Sequence, residues 1–157
     1  MQSTAIQLDP TALEAVVEGL TQGLSETVVA TMKAQNYHWN VTGMAFGPLH
    51  ALFQKIYEDH FEGQDDLAER IKALDGHALG TLSGHLARSN VTECDGKVDD
   101  RKMIANLRAD QETLAGTMYA LGEIAAKHGD KLTEDLAIGR GRTHEKFAWM
   151  LRAHLKS

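Results

Sequence analysis

Residues 77–98 read HALGTLSGHLARSNVTECDGKV, and this stretch separates two pairs of long helical patterns. Glycines at positions 80, 84 and 96 interrupt it, and its apolar residues follow no sustained helical spacing. It is interpreted as a long crossover connection with room for one short helix. Because the connection is long, the helices on either side of it can run parallel.

Two long helices are predicted before the crossover. Asp9 followed by Pro10 is a typical helix start, and the first helix is expected to run from there to about Trp39. Two glycines and a proline at 43–48 then interrupt the pattern, and the second helix is expected to begin at the proline and end near Gly76. Apolar residues recur at helical spacing along the first helix: Leu13, Val16, Val17, Leu20, Leu24, Val28 and Met32.

Two more helices are predicted after the crossover. The third begins at Asp99–Asp100 and ends at Gly129, and the fourth carries apolar residues from Leu132 to Leu151. No segment shows the alternation of a strand, an internal repeat or low complexity. The pattern predicts an all-α protein with a single domain over 1–157. Its expected architecture is a ferritin-like four-helix bundle with a long crossover between helices two and three.

Composition restricts the classes of function. The chain is 43% hydrophobic and carries a net charge of −6, so a folded, soluble protein is expected. Its first 32 residues contain no Lys or Arg, so it lacks a basic N-terminal arm, and DNA binding is not expected. No secretory signal or membrane-spanning run is recognisable, so a cytoplasmic protein is expected. Cys94 is the single cysteine, which excludes an internal disulfide and a thiolate metal site.

A di-iron site inside the bundle is not expected. Such sites use Glu-x-x-His pairs on inward faces, and none of the eight histidines has Glu three residues before it. The inner faces are therefore interpreted as apolar core, and His60 as a hydrogen-bonded core residue. Arg140 and Arg142 are expected at the surface or an interface.

His38, His50, Asp65 and Glu69 are the candidate metal ligands. The two carboxylates are four residues apart on helix two and can bind one cation, and imidazoles with carboxylates suit Fe(II) or Zn(II). His50 and Asp65 lie fifteen residues apart on one helix, about 22 Å at 1.5 Å per residue, and cannot share a metal within one chain. A two-fold axis between antiparallel copies of helix two would bring them together. The alternatives are a solvated acidic helix face and a histidine near a helix end.

Several motifs resemble the Dps family of miniferritins: NYHWNVTG at 36–43, a histidine twelve residues after the first, DDLAERIKALDG at 65–76, HALGT at 77–81 and KFAWML at 146–151. The resemblance covers nearly the whole chain. It implies that His38 and His50 of one subunit, with Asp65 and Glu69 of its two-fold mate, are ferroxidase ligands. It also implies that Trp39 supplies electrons or quenches radicals beside them, the alternative being a large core side chain.

The resemblance further implies a homo-dodecameric shell with metal sites at its two-fold dimer interfaces. Such a shell binds Fe(II), oxidises it preferentially with hydrogen peroxide, and stores the Fe(III) product as a mineral. Iron is the expected metal, and zinc is expected to compete for the same ligands. Two rival functions are a nucleoid-compacting DNA-binding protein and a zinc-binding structural shell without redox activity.

The chain departs from the family pattern at Gln54. Several relatives carry Asp four residues after the second histidine, where it serves a second iron position, and an amide is a poorer ligand. A water or the nearby Glu58 is a candidate substitute.

Asp110 and Glu112 are candidate pore residues.

Overall fold

Four long helices form the bundle, and a short fifth helix lies in the crossover. The computed structural model describes residues 7–156, in which no strand occurs. The helices are α1 Pro10–Asn40, α2 Phe46–Ala73, α3 Leu82–Arg88, α4 Asp100–Lys127 and α5 Lys131–Leu155. Around the bundle, α1 packs against α2 and α4, while α5 packs against α4 and α2. The predicted all-α bundle with a long crossover is confirmed.

Helix starts follow the capping residues in the sequence. The Ala12 N–H donates to Asp9 Oδ1 at 2.8 Å, and the Lys102 N–H donates to Asp99 Oδ1 at 2.8 Å. Both bonds satisfy backbone groups that a helix leaves free at its first turn. Helix α2 instead begins at Phe46, two residues before the expected proline, without a side-chain cap.

The apolar core of the described residues consists of three clusters, and the two larger ones lie at opposite ends of the bundle axis. One lies where α1 ends and α2 begins, and includes Tyr37, Phe53 and Leu107. The other lies at the opposite end, and includes Leu20, Leu67 and Met118. Polar side chains occupy α2, α4 and α5 between these clusters, so the expectation of an entirely apolar interior is wrong at this level.

A buried chain of hydrogen-bonded side chains lies between the two larger clusters. It consists of His60, Gln111 and His144, none of which has any exposed surface. His144 Nδ1 and Gln111 Oε1 are 2.8 Å apart, and Gln111 Nε2 and His60 Nε2 are 2.8 Å apart. Because the amide oxygen accepts and the amide nitrogen donates, His144 carries its hydrogen on Nδ1 and His60 accepts at Nε2. His60 Nδ1 then donates to Asp59 Oδ2 at 3.0 Å. As expected, His60 is a hydrogen-bonded core histidine.

Arg140 closes this polar layer on the α5 side. It is only 8% exposed within the single chain and donates two hydrogen bonds to Asp59, at 3.1 and 2.9 Å, so the expectation of a surface or interface position is wrong for Arg140. Burial alone would raise the pKa of Asp59, but the hydrogen bonds from His60 and Arg140 outweigh it and lower that pKa. Gly63 leaves the space that the guanidinium occupies.

Asp110 does not fit the expectation of a pore residue. It is 8% exposed, and its Oδ2 lies 2.9 Å from Nζ of the equally buried Lys33. Burial raises the pKa of Asp110 more than the lysine lowers it. The pair joins α1 to α4 within the bundle, whereas Glu112 is exposed and pairs with Arg108.

Candidate metal centre

The turn between α1 and α2 brings His38 and His50 together. His38 lies in the last turn of α1, and His50 lies near the start of α2. Their rings stack with centroids 3.7 Å apart and planes 14° apart. His38 is 8% exposed, and His50 is half-buried. The predicted pairing of these two histidines on one chain is therefore present in the structure.

Each imidazole is fixed by the backbone of the other residue. His38 Nδ1 lies 2.7 Å from the carbonyl oxygen of His50, and His50 Nδ1 lies 2.7 Å from the carbonyl oxygen of His38. A carbonyl only accepts, so both Nδ1 atoms carry hydrogen. In the neutral rings, both Nε2 atoms then keep a free lone pair, the form in which histidine binds a metal.

Two aromatic side chains support the pair. Phe46 stacks on His50 with centroids 5.0 Å apart, and Tyr57 meets His38 edge-on at 5.3 Å. Neither was identified from the sequence. The four-residue spacing of Phe46 and His50 could have indicated the first contact, since such residues share a helix face. No local pattern could have indicated the second, which joins two helices.

Asp65 and Glu69 lie on the same helix as His50 but far from it. Both are exposed on α2, one turn apart. Within residues 7–156 no group of three or more His, Cys, Asp or Glu side chains could hold a metal ion. A single chain therefore brings together the two histidines and, separately, the two carboxylates, but not all four candidate ligands.

An exposed apolar groove lies between α1, α2 and the crossover. Four large side chains line it, and their exposed fractions are Met32 55%, Phe61 70%, Leu82 82% and Leu86 44%. Phe61 lies between His50 and Asp65 in the sequence of α2. Exposed apolar surface of this kind is typical of a protein interface.

Comparison with known proteins places the fold and motifs in one family. A family model described as a ferritin-like domain matches residues 17–157. The DNA protection during starvation protein 2 of Bacillus anthracis is 33% identical to this chain, with 89% of this chain and 96% of that protein covered. The crystal structure of the DPS protein from Vibrio cholerae O1 has a TM-score of 0.92 at 33% identity, covering 99% of this chain and 98% of that chain. This chain is a Dps-family ferritin-like protein.

Other Dps structures agree. Dps from Thermosynechococcus elongatus has a TM-score of 0.90 at 32% identity, with 94% of each chain covered. The Vibrio cholerae protein is described as a member of a broad superfamily of ferritin-like diiron-carboxylate proteins. Membership supports a general role for this Dps protein in binding and storing iron.

Trp39 of this Dps protein lies beside the histidine pair in sequence, with 63% of its surface exposed. It is therefore not the core side chain considered as an alternative. Among the helices described in residues 7–156, none has the length and apolar character needed to cross a membrane.

Proposed function

We propose that this Dps-family protein is a ferroxidase that binds Fe(II) between two subunits, oxidises it with hydrogen peroxide and stores the Fe(III) product as a mineral. The reciprocal hydrogen bonds of His38 and His50 are the observation that carries the proposal. They place the hydrogen of each neutral ring on Nδ1 and so leave both Nε2 atoms available as ligands, while residues 7–156 contain no complete ligand set.

The second subunit supplies the missing carboxylates. Antiparallel pairing of two α2 helices about an axis near Glu58 and Asp59, midway in the sequence between His50 and the two carboxylates, sets Asp65 and Glu69 of one chain opposite His38 and His50 of the other. The exposed groove lined by Met32, Phe61, Leu82 and Leu86 would be buried by this pairing. Each dimer then has two equivalent sites.

The ligand chemistry suits the proposed substrate. Two imidazole nitrogens and two carboxylates fit Fe(II), and the carboxylates stabilise the more highly charged Fe(III). Two Fe(II) ions supply two electrons to one hydrogen peroxide, which takes up two protons and leaves as two waters. Zn(II) accepts the same donors and is expected to compete. The exposed indole of Trp39 is proposed to donate electrons to oxidising species formed nearby.

A shell of twelve subunits requires a second interface besides the dimer groove. Helices α4 and α5 offer another set of exposed apolar side chains: Tyr119 at 75%, Leu132 at 64%, Ile138 at 49% and Trp149 at 57%. Two separate apolar surfaces allow an assembly larger than a dimer. We propose a cytoplasmic homo-dodecamer. At −6 per chain, its surface disfavours DNA binding.

Mixed assemblies test the shared site. His50→Ala and Asp65→Ala should each abolish peroxide-dependent Fe(II) oxidation as homo-oligomers. A dimer of one of each contains one site without either residue and one intact site. Co-expression of the two inactive variants should therefore restore part of the wild-type rate. If native mass spectrometry establishes mixed dimers and they stay inactive, the intersubunit site is wrong.

A further inference from the structure

We propose that an ion pair across the two-fold axis, between Lys55 of one chain and Glu62 of a second copy, sets the register in which two α2 helices meet. The inference rests on the proposed function, because it concerns the same pairing of subunits. It adds two residues that are not metal ligands, and it is carried by charge and by the symmetry of their positions.

Lys55 is the only lysine or arginine in a strongly acidic part of α2, from Phe46 to Glu69. Two copies of such a helix repel each other when they meet, unless a cation of each lies beside a carboxylate of the other. The position of Lys55 in the pairing therefore decides how much of this repulsion is removed. The carboxylates of this stretch are Glu58, Asp59, Glu62, Asp65, Asp66 and Glu69.

Lys55 has no acidic partner on its own helix. Its side chain is exposed, and within residues 7–156 it belongs to no ion pair. The two acids on the following turn of α2 are engaged elsewhere. Glu58 accepts a hydrogen bond from Gln54 Nε2 at 2.7 Å. Asp59 accepts two from the guanidinium of Arg140. The ammonium group of Lys55 is therefore available to a second subunit.

Glu62 is the matching free acid. It is exposed and, like Lys55, belongs to no ion pair in the described part of the chain. The two residues are seven apart, which is two helical turns, so they lie on the same side of α2. Ion pairs along one helix join residues three or four apart, so this pair does not form within a chain.

Symmetry brings the two charges together. The proposed axis passes between positions 58 and 59, and Lys55 and Glu62 lie at equal distances on either side of it. Antiparallel pairing therefore sets Lys55 of each chain opposite Glu62 of the partner subunit. Each dimer then has two such pairs, placed like the flanking charges that fix orientation in coiled coils.

A different register would be unfavourable. Sliding one α2 by about one turn would set Lys55 opposite Asp65 of the partner subunit, where the ammonium group would compete with the metal for a ligand. The same slide would bring Glu62 opposite the partner's Glu58, and like charges repel. Pairing of Lys55 with Glu62 avoids both effects and leaves the metal ligands free.

Charge reversal tests the pair through subunit association, without metal or turnover. Lys55→Glu and Glu62→Lys each replace two attractive pairs per dimer by two repulsive ones. In either variant, the concentration at which the metal-free assembly dissociates should rise about tenfold or more at low salt. Light scattering on serial dilutions measures this concentration. The double variant, which exchanges the two charges, should associate as wild type.

Mixing the two single variants identifies the partner as a second copy. In a dimer of one Lys55→Glu chain and one Glu62→Lys chain, both pairs again join a carboxylate to an ammonium group. An equimolar mixture, refolded together, should therefore regain wild-type association. In the charge-matched control mixture, Glu14→Lys replaces Glu62→Lys. Glu14 is exposed on α1 rather than α2, so this mixture should not recover.

Each variant is first checked for helicity. Wild-type association of both single variants, lack of recovery in the double variant, or equal recovery in the control mixture would overturn the ion pair. Co-expression of His50→Ala and Asp65→Ala then separates this inference from the proposed function. If their oxidation activity is restored while the charge variants fail the test, only the ion pair is wrong. If neither mixture recovers, pairing through α2 is wrong as well.

Discussion

Gln111 makes hydrogen bonds to two buried imidazoles, so replacing it should lower the free energy of unfolding. Gln111→Leu leaves the His60 Nε2 lone pair and the His144 Nδ1 hydrogen without partners in the core. We expect the free energy of unfolding to fall by about 2–4 kcal/mol, because each unpaired buried polar group is strongly destabilising. Urea unfolding at a fixed protein concentration measures it. Ala120→Leu, at an exposed position on the same helix, should change stability by less than about 0.5 kcal/mol. Equal stability of the two variants would contradict the role of the buried chain.

Single residues of the site differ in how far the sequence reveals them. His38 and His50 were candidates because they flank a turn between two helices, but it was the resemblance to the Dps family that identified them as ligands of one site. Their reciprocal bonds to backbone carbonyls could not be predicted, because they depend on how two helix ends meet. Gln111 and His144 escaped notice because their partners lie on other helices, and no local spacing encodes such contacts.

At the scale of helices, capping residues and apolar periodicity predicted most of the fold. Asp9 and Asp99 cap α1 and α4 as expected. The start of α2 was placed at Pro48, but the Phe46 N–H already bonds to the carbonyl of Gly43 at 3.1 Å. Gly43 has φ of 111°, a conformation that favours glycine, and this turn allows the helix to begin earlier. Proline marked the first turn of the helix rather than its first residue.

The approach of α2 to α5 depends on Gly63. A Cβ added there would lie 2.6 Å from Arg140 Cζ, and the guanidinium cannot yield without losing its bonds to Asp59. Gly63→Ala should therefore lower the free energy of unfolding by about 1–3 kcal/mol relative to Gly139→Ala. At Gly139 on α5 an added Cβ meets nothing, so the substitution should stabilise by up to about 1 kcal/mol.

Thermal unfolding compares the two glycine variants, and a double variant identifies the cause. When Gly63→Ala is combined with Arg140→Met, the alanine no longer collides with the guanidinium. Gly63→Ala should therefore lower the free energy of unfolding less in this background than beside the native arginine. If the alanine costs the same in both backgrounds, the contact between Gly63 and Arg140 does not set the distance between α2 and α5.

At the scale of the whole molecule, the fold was more predictable than the site. Periodicity within one chain determines a bundle, and the family resemblance confirmed its type. In the proposed site the ligand set is divided between two subunits, and within residues 7–156 of one chain the histidines and the carboxylates do not form a metal-binding group. The exposed groove around Phe61 is the surface through which we propose that two subunits pair, and an apolar residue in a helical pattern did not reveal that this surface is exposed.

Acid should destabilise the whole protein through the buried histidines. Burial lowers the pKa of His60 and lowers that of His144 well below its ordinary 6.5, so both stay uncharged in the folded chain. The unfolded chain instead takes up a proton at each histidine near pH 6.5. Below pH 6.5 the folded state thus binds fewer protons than the unfolded state. The free energy of unfolding is therefore highest above about pH 7 and decreases as the pH falls below 6.5. Each histidine contributes a slope of up to about 1.4 kcal/mol per pH unit.

Unfolding of metal-free protein between pH 8 and 5 measures this effect, and His144→Leu isolates one histidine. The substitution leaves Gln111 Oε1 without its hydrogen-bond donor. Because neither the leucine nor the Gln111 amide titrates, the resulting loss of stability does not depend on pH. The variant should therefore be less stable at pH 8, yet lose stability more gently toward pH 5, by about 1.4 kcal/mol per pH unit. His77→Gln, at an exposed position, should keep the wild-type slope. Identical slopes in wild type and His144→Leu would show that His144 binds its proton equally in the folded and unfolded chains, contrary to its buried, uncharged role.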